Sequence, residues 1–315
     1  MGGNVFELVK PIKKENIEPT LAKFVEELSR IFPKAQHHFK SLKTLGSVGK
    51  KDVSGDIDLA ISEDSFKDIN EWDLNEKRIK ELFDGFKKKS KNASEHQIMK
   101  RAIIVALSDK VQEKGKDIHF DLKGSITGAL YFAFPQYEGN KKTNDWVQID
   151  LNVGNIDWLS FSYYSDVYKG NVKGLHRTQL LISLFANKGY VFSHNYGVKN
   201  KETQEVEAKN PKEAIELLNK LYNFKLDEKI IPNYFSLQEF LKKNLSEEEL
   251  NKLYDTYLRI LDSTRADIPD ELQEYWIKNQ KRLSLKGKFL PNNSKLIKYK
   301  TESVSFIDVY YEERI

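Results

Sequence analysis

Two carboxylates, Asp56 and Asp58, flank a single isoleucine in LGSVGKKDVSGDIDLAI, residues 45–61. In a strand, residues two apart share a face, so both carboxylates point one way while Ile57, Leu59 and Ile61 turn to the other. Like charges held about 6–7 Å apart repel unless a cation sits between them. A donor set of oxygen alone suits a hard ion, Mg²⁺ or Mn²⁺, and such an ion takes phosphate oxygens as readily as protein ones. Upstream stands the pair Gly46-Ser47. Glycine lets main-chain N–H groups approach an anion closely, and serine adds a hydroxyl donor. A phosphate cradle beside metal ligands describes a site for a nucleoside triphosphate and its ion. The competing account of Asp-x-Asp is an exposed strand edge, with Ser54-Gly55-Asp56 as turn chemistry.

These motifs, at this spacing, resemble the signature of the nucleotidyltransferase superfamily related to DNA polymerase beta. Its pattern is an apolar residue, Gly, Gly or Ser, a short spacer, then Asp-apolar-Asp. The resemblance implies a third carboxylate on a later strand. Asp121 in IHFDLKG and Asp150 in WVQIDLNVG are the candidates. Asp150 is preferred, because KGLHRTQLLISLFANKGYVFSHNYGV downstream resembles the segment that comes after the third carboxylate in that superfamily. Asp121 is then structural or supporting. Residues 1–200 are also similar to nucleotidyltransferase-like proteins of tailed bacteriophages, through GGNVF, VSGDIDLAI, VQIDLNVGNIDWLSFSYYS and KGLHRTQLL. A helix-hairpin-helix domain is not recognisable ahead of the motif, which puts gap-filling DNA synthesis in doubt.

The chemistry implied by the resemblance is phosphoryl transfer. Asp56, Asp58 and Asp150 are the catalytic set and the ligands for Mg²⁺ or Mn²⁺. An NTP or dNTP is the substrate, its nucleoside monophosphate passes to an acceptor hydroxyl, and pyrophosphate leaves. An RNA or DNA 3′ end is the expected acceptor. The alternatives are a protein or small-molecule hydroxyl, or a catalytically inactive binding module of the same fold. Gly46 and Ser47 are expected to hold phosphate. Lys50 and Lys51 lie close enough to assist, and Lys100 and Arg101 precede a further strand-like run. Arg177, with His176, opens a helix whose N-terminus favours an anion. Trp146, Trp158, Phe161, Tyr163 and Tyr164 are candidates to stack a base, although core packing accounts better for most of them, and Tyr163 or Tyr164 is the preferred one.

Elements must position these residues. An apolar stripe, Leu21, Phe24, Val25, Leu28, Ile31 and Phe32, predicts a helix over about 18–32 with Pro19 in its first turn. DIDLAIS alternates like a strand, and 73–88 reads as a helix capped by Asp73. RAIIVALS, DIHFDLKG and DWVQIDLNVG read as strands. In the last, Gln148, Asp150 and Asn152 share a face. Residues 175–188 read as a helix stopped by Gly189. After about 205 helix signals dominate: Asn210-Pro211 with Glu213, Ser236 with Glu239, Ser246 with Glu249, then Pro269. The expectation is an α+β chain. Residues 1–205 form the catalytic domain, a short mixed or antiparallel sheet flanked by helices, and 206–315 form a mainly helical domain.

Bulk properties agree. The 315 residues are 39% hydrophobic and 31% charged, with 18 Phe and 15 Tyr, enough to build a core. There is no Cys, which excludes disulfides, thiolate catalysis and Cys-ligated zinc. No signal-peptide pattern or membrane-length apolar run occurs, so a reducing, cytoplasmic setting is expected, that of a host cell if the gene is a phage's. The net charge of +4 decides little, but KNQKRLSLKGKFLPNNSKLIKYK, residues 278–300, holds eight Lys or Arg and no acid. A one-signed segment of that kind suits a nucleic-acid backbone.

Overall fold

The computed structural model describes residues 5–89, 94–121, 129–166 and 170–283. The chain divides into two compact units, Met1–Ser160 and Phe161–Ile315. The division expected near 205 falls inside the second unit. The helix expected over 175–188 packs there against a later helix of the same unit, and the two share a core.

In chain order, the first unit contains β1 (Ile12–Lys13), α1 (Lys14–Ile31), α2 (Gln36–Phe39), β2 (Lys43–Thr44), β3 (Val53–Ser54) and β4 (Ile57–Ser62). It continues with α3 (Glu76–Lys89), α4 (Glu95–Lys114), β5 (His119–Asp121), β6 (Ala129–Glu138) and β7 (Lys141–Gly154), and α5 (Ile156–Ser162) straddles the division. The architecture is α+β. A mixed five-stranded sheet runs β2-β4-β7-β6-β5, in which β4 and β7 are parallel and the other pairs antiparallel. β1 and β3 form a separate antiparallel pair. β6 and β7 join through a tight turn where Gly139 has φ +57°, a left-handed conformation glycine adopts at little cost.

One face of the sheet is apolar and covered. Ile57, Leu59 and Ile61 of β4, Val147, Ile149 and Leu151 of β7, and Phe132 and Phe134 of β6 are all buried. Phe24 of α1 meets Phe132 and Phe134 edge-on, at ring-centroid distances of 5.3 and 5.4 Å. Such a ring contributes about 2–3 kcal/mol by burial and about 1 kcal/mol more through edge-to-face geometry. α1 begins about a turn earlier than its sequence suggests, with Pro19 inside it. Asn16, Ile17, Thr20 and Phe24 are buried together, so the core stripe runs back past the proline and tertiary packing overrides the lost N–H bond.

Two further expectations fail locally. RAIIVALS is the middle of helix α4, not a strand. Its run buries Ala102, Ile104, Ala106, Leu107 and Ser108 on nearly all sides, which erases the helical period. The decisive signal lies upstream, in a capping box between Ser94 and Gln97. Asp73 does not cap α3. It sits at φ +50° with its carboxylate against Lys110 Nζ, while Asn75 Oδ1 accepts the N–H of Arg78 at 3.1 Å.

The second unit contains α6 (Gly174–Asn187), the three-stranded antiparallel sheet of β8 (Tyr190–Ser193), β9 (Gly197–Asn200) and β10 (Val206–Ala208), then α7 (Pro211–Tyr222), α8 (Tyr234–Asn244), α9 (Glu247–Thr264) and α10 (Gln273–Asn279). Gly189, at φ +83°, ends α6 as expected. Asn210 caps α7, and Ser246 with Glu249 form the capping box of α9. α8 is capped by Asn233, whose Oδ1 accepts from Phe235 and Ser236, so Ser236 lies inside its first turn. Of the basic segment, 284–300 lies outside the described residues. Arg282 within it forms a two-pronged ion pair with Asp255. Among the described residues no helix is long and apolar enough to cross a membrane.

Candidate metal centre

β4 and β7 bring the expected carboxylates together through their register. Ile57 lies opposite Ile149 and Asp58 opposite Asp150 in the parallel ladder. Directly opposed residues project to the same face, so the alternation that buries Ile57, Leu59, Ile149 and Leu151 turns both aspartates outward side by side. Asp56, just ahead of β4, completes the group. One carboxylate oxygen from each of Asp56, Asp58 and Asp150 lies within 4.8 Å of the others.

Asp121 belongs to the same row, opposite Tyr131 on β6, which lies opposite Asp150. It is thus two strands from Asp150, about 10 Å at ordinary strand spacing. Asp150, not Asp121, shares a centre with Asp56 and Asp58.

The electrostatics of the group are those of charges gathered without neutralisation. Burial pushes the Asp58 carboxyl well above the usual carboxylate range, and the charges of Asp56 and Asp150 push it further. The Asp150 carboxyl is pushed up to about 7, chiefly by burial, against a hydrogen bond from Gln148 that pulls it down and with the charge of Asp56 raising it. Three converging oxygens, no nitrogen or sulfur, and partly desolvated like charges are what a hard divalent cation would neutralise, so this donor set fits Mg²⁺ or Mn²⁺.

Gln148 is a supporting residue that sequence reasoning passed over. Its Nε2 donates to Asp150 Oδ1 at 2.8 Å, and its Oε1 accepts the main-chain N–H of Val5 at 3.1 Å. The two bonds together fix which way the amide faces. Gln148 is buried, so this carboxylate is held by a side chain with no solvent alternative. The signal was available in Gln148, Asp150 and Asn152 sharing one strand face. Asn152 ties the strands from the next position, donating through Nδ2 to Leu59 O at 3.2 Å.

Gly46 and Ser47 begin a tight turn. Gly46 has φ +62° and Gly49 +71°. Leu45 N–H donates to the carbonyl of Asp58 at 2.9 Å, so the turn hangs from the strand residue that carries a central carboxylate. Ser47 is half-buried, and Lys50 and Lys51 are exposed.

The other candidates are otherwise engaged. Lys100 is buried, donates to the carbonyl of Val153, and has its ammonium pKa brought down to about 8 by burial. Arg101 lies 4.2 Å from the Phe86 ring centre. Arg177, in the second unit, is fully buried. Its Nε donates to Ile231 O at 3.0 Å, its Nη1 donates to Phe161 O, and its guanidinium lies over the Phe161 ring. That is a structural role inside α6's own core rather than an open anion site. His176 likewise has both ring nitrogens committed, Nδ1 accepting from Lys173 N–H at 2.7 Å and Nε2 donating to Asp267 O at 2.8 Å. Trp158 and Phe161 are buried, and Trp146 lies against His119 at 4.9 Å. Tyr163 approaches His194 at 5.0 Å, and Tyr164 lies 5.8 Å from the Arg177 guanidinium.

No family model matches the chain, and no curated protein matches it.

Proposed function

We propose that the protein is a metal-dependent nucleotidyltransferase, moving a nucleoside monophosphate from an NTP or dNTP to an acceptor hydroxyl, and that its first unit has the nucleotidyltransferase fold. The observation that carries this reading is the register of β4 against β7, which sets Asp58 beside Asp150 and gathers Asp56 with them. Asp56, Asp58 and Asp150 hold the divalent cation. Bound there, a Mg²⁺ or Mn²⁺ ion supplies charge neutralisation for the phosphates and lowers the pKa of the attacking hydroxyl.

The chain's own groups do the rest. Main-chain N–H groups of the Gly46 turn and the Ser47 hydroxyl steady the β- and γ-phosphates. Gln148 holds Asp150 Oδ1, leaving Oδ2 to accept the hydroxyl proton. The hydroxyl oxygen forms a bond to the α-phosphorus, the bond from that phosphorus to the bridging oxygen breaks, and pyrophosphate leaves. Arg177 has no part in this reading. A nucleic-acid 3′ end is the acceptor supported by the basic run 278–300, eight cations with no acid.

The test incubates the protein with Mg²⁺ or Mn²⁺, each labelled NTP and dNTP, and RNA, DNA, protein and small-molecule acceptors in turn. Label on RNA or DNA, lost in Asp58→Asn, is the expected result. Label on protein or a small molecule would move the acceptor class. No transfer to any acceptor would sink the enzyme reading.

A further inference from the structure

A second cluster of metal-ligating side chains lies in the first unit, assembled from α2 and the turn downstream of β4. His37, His38 and Glu71 each place one donor atom within 4.8 Å of the others. His38 Nε2 is 2.7 Å from Glu71 Oε2, and His37 Nε2 is 3.6 Å from the same oxygen. The two imidazoles are neighbours in sequence, yet their ring centres are 3.9 Å apart instead of splaying away from each other.

The surroundings fix the donors' directions. His37 Nδ1 lies 3.2 Å from the Lys34 carbonyl. A carbonyl only accepts, so Nδ1 carries a proton, and in the neutral imidazole Nε2 is the nitrogen with a lone pair, facing Glu71. A main-chain carbonyl on the far nitrogen is the usual partner of a ligating histidine. His38 lies parallel to Trp72, at 5.7 Å between ring centres and 5° between planes. Trp72 is buried and held by its Nε1–H on the Ser65 carbonyl at 2.7 Å. The turn bearing Glu71 is fixed by its N–H on the Asp68 carbonyl and by Asp68 Oδ1 accepting from Asn70 at 3.0 Å. One ion pair accounts for His38 and Glu71. It does not account for a second imidazole nitrogen, His37 Nε2, converging on the same carboxylate oxygen, an arrangement a divalent cation would bridge.

We propose that His37, His38 and Glu71 form a metal site distinct from the aspartate centre, for a borderline divalent ion of the zinc type with water in its fourth position. Two nitrogens and one carboxylate oxygen are a zinc-type donor set, whereas the aspartates offer oxygen only. The ion clamps the segment entering β2 to the turn leaving β4, and so braces the hydrogen-bonded pair of strands from which the Gly46 turn hangs. Competing soft ligands are few. The chain has no Cys and six His. Of the other four, His176 has both nitrogens committed, His194 packs between Tyr163 and Phe192, His119 lies against Trp146, and His96 has the Glu63 carboxylate at 3.8 Å.

The test uses untagged full-length protein, stripped with chelator and kept in excess Mg²⁺ so that the aspartates are occupied. Zn²⁺ is titrated calorimetrically, and Co²⁺ by its visible ligand-field absorption. One equivalent should bind and raise the melting temperature. His37→Gln and His38→Gln should each weaken Zn²⁺ binding by about a hundredfold or more, Glu71→Gln should do the same, and Glu71→Asp should restore part of it. Asp58→Asn should bind Zn²⁺ as the wild type does. Circular dichroism checks that each variant is folded. The proposal is overturned if wild-type protein takes up no stoichiometric Zn²⁺, if both histidine variants retain it, or if only Asp58→Asn abolishes it.

Discussion

Asp150→Asn should make the metal-free protein more stable, and the size of the gain can be worked from the site. The Asp150 carboxyl is raised from an ordinary 3.8 to about 7. At about 1.4 kcal/mol per pH unit, holding it ionised disfavours folding by about 4 kcal/mol once the pH is above 7. The group is only half-buried, so water screens part of this and about 2 kcal/mol is the working figure. The asparagine keeps an oxygen for Gln148 and loses the charge beside Asp56 and Asp58. For a chain of this size, about 2 kcal/mol is about 3 °C in melting temperature.

The sign with pH comes from linkage. A carboxyl whose folded pKa lies above its unfolded one binds more protons folded than unfolded, so its contribution to stability falls as pH rises from 3.8 to about 7 and is level above. The gap between variant and wild type should therefore be full at pH 8, under half that at pH 5, and nearly gone at pH 4. His194 runs the other way. Burial, helped by the Arg177 charge, brings its imidazole down to about 4, so its contribution is lost as pH falls from 6.5 toward 4. Taking the difference between the two proteins cancels that effect. Adding Mg²⁺ at pH 8 should reverse the order, because an ion at a hundred times its Kd stabilises the wild type by about 2.7 kcal/mol and the variant hardly at all. The assay is calorimetric melting in chelator and in Mg²⁺ at pH 4, 5 and 8. A variant no more stable than wild type in chelator at pH 8, or a gap that stays constant down to pH 4, refutes the electrostatic account.

Three further outcomes can be checked alongside. Gln148→Leu removes the donor on Asp150 Oδ1, so Mg²⁺ binding measured calorimetrically should weaken by about ten- to a hundredfold while the fold persists. Arg177→Met leaves the carbonyls of Ile231 and Phe161 without that donor and should destabilise by about 2–4 kcal/mol in chemical denaturation, with Mg²⁺ affinity at the aspartates unchanged. Were Arg177 a phosphate ligand, nucleotide affinity would fall more than stability. Gly46→Ala places a Cβ at φ +62°, which should cost about 1 kcal/mol and weaken triphosphate binding in a fluorescent-nucleotide titration.

Much of the frame could be read from pattern, because β4, β7, α6, α7 and α9 carry strong local signals: strict alternation, a glycine stop, an asparagine cap, a capping box. Register had no such signal. Nothing local to DIDLAIS or WVQIDLNVG states that Asp58 lies opposite Asp150; that depends on which apolar faces pack together across the sheet. The same limit explains RAIIVALS, whose helix is buried almost all round and so shows no period of its own. It explains Arg177 too, since a helix-opening arginine looks like an anion ligand until the carbonyls that occupy it are in place. The pairing of His37 and His38 with Glu71 depends on how a turn folds back, and no spacing announced it.

The parallel pairing of β4 with β7 has a consequence for how the molecule is made. Asp58 and Asp150 are about ninety residues apart in the chain, and closing a loop of that length costs about 4 kcal/mol in chain entropy beyond a constant. The intervening β5–β6–β7 meander joins near neighbours, whereas the joining of β4 to β7 is a non-local pairing, the kind of contact that slows folding. That step also drives three negative charges together. Its barrier therefore carries the site's electrostatics, and neutralising the three carboxylates would lower it.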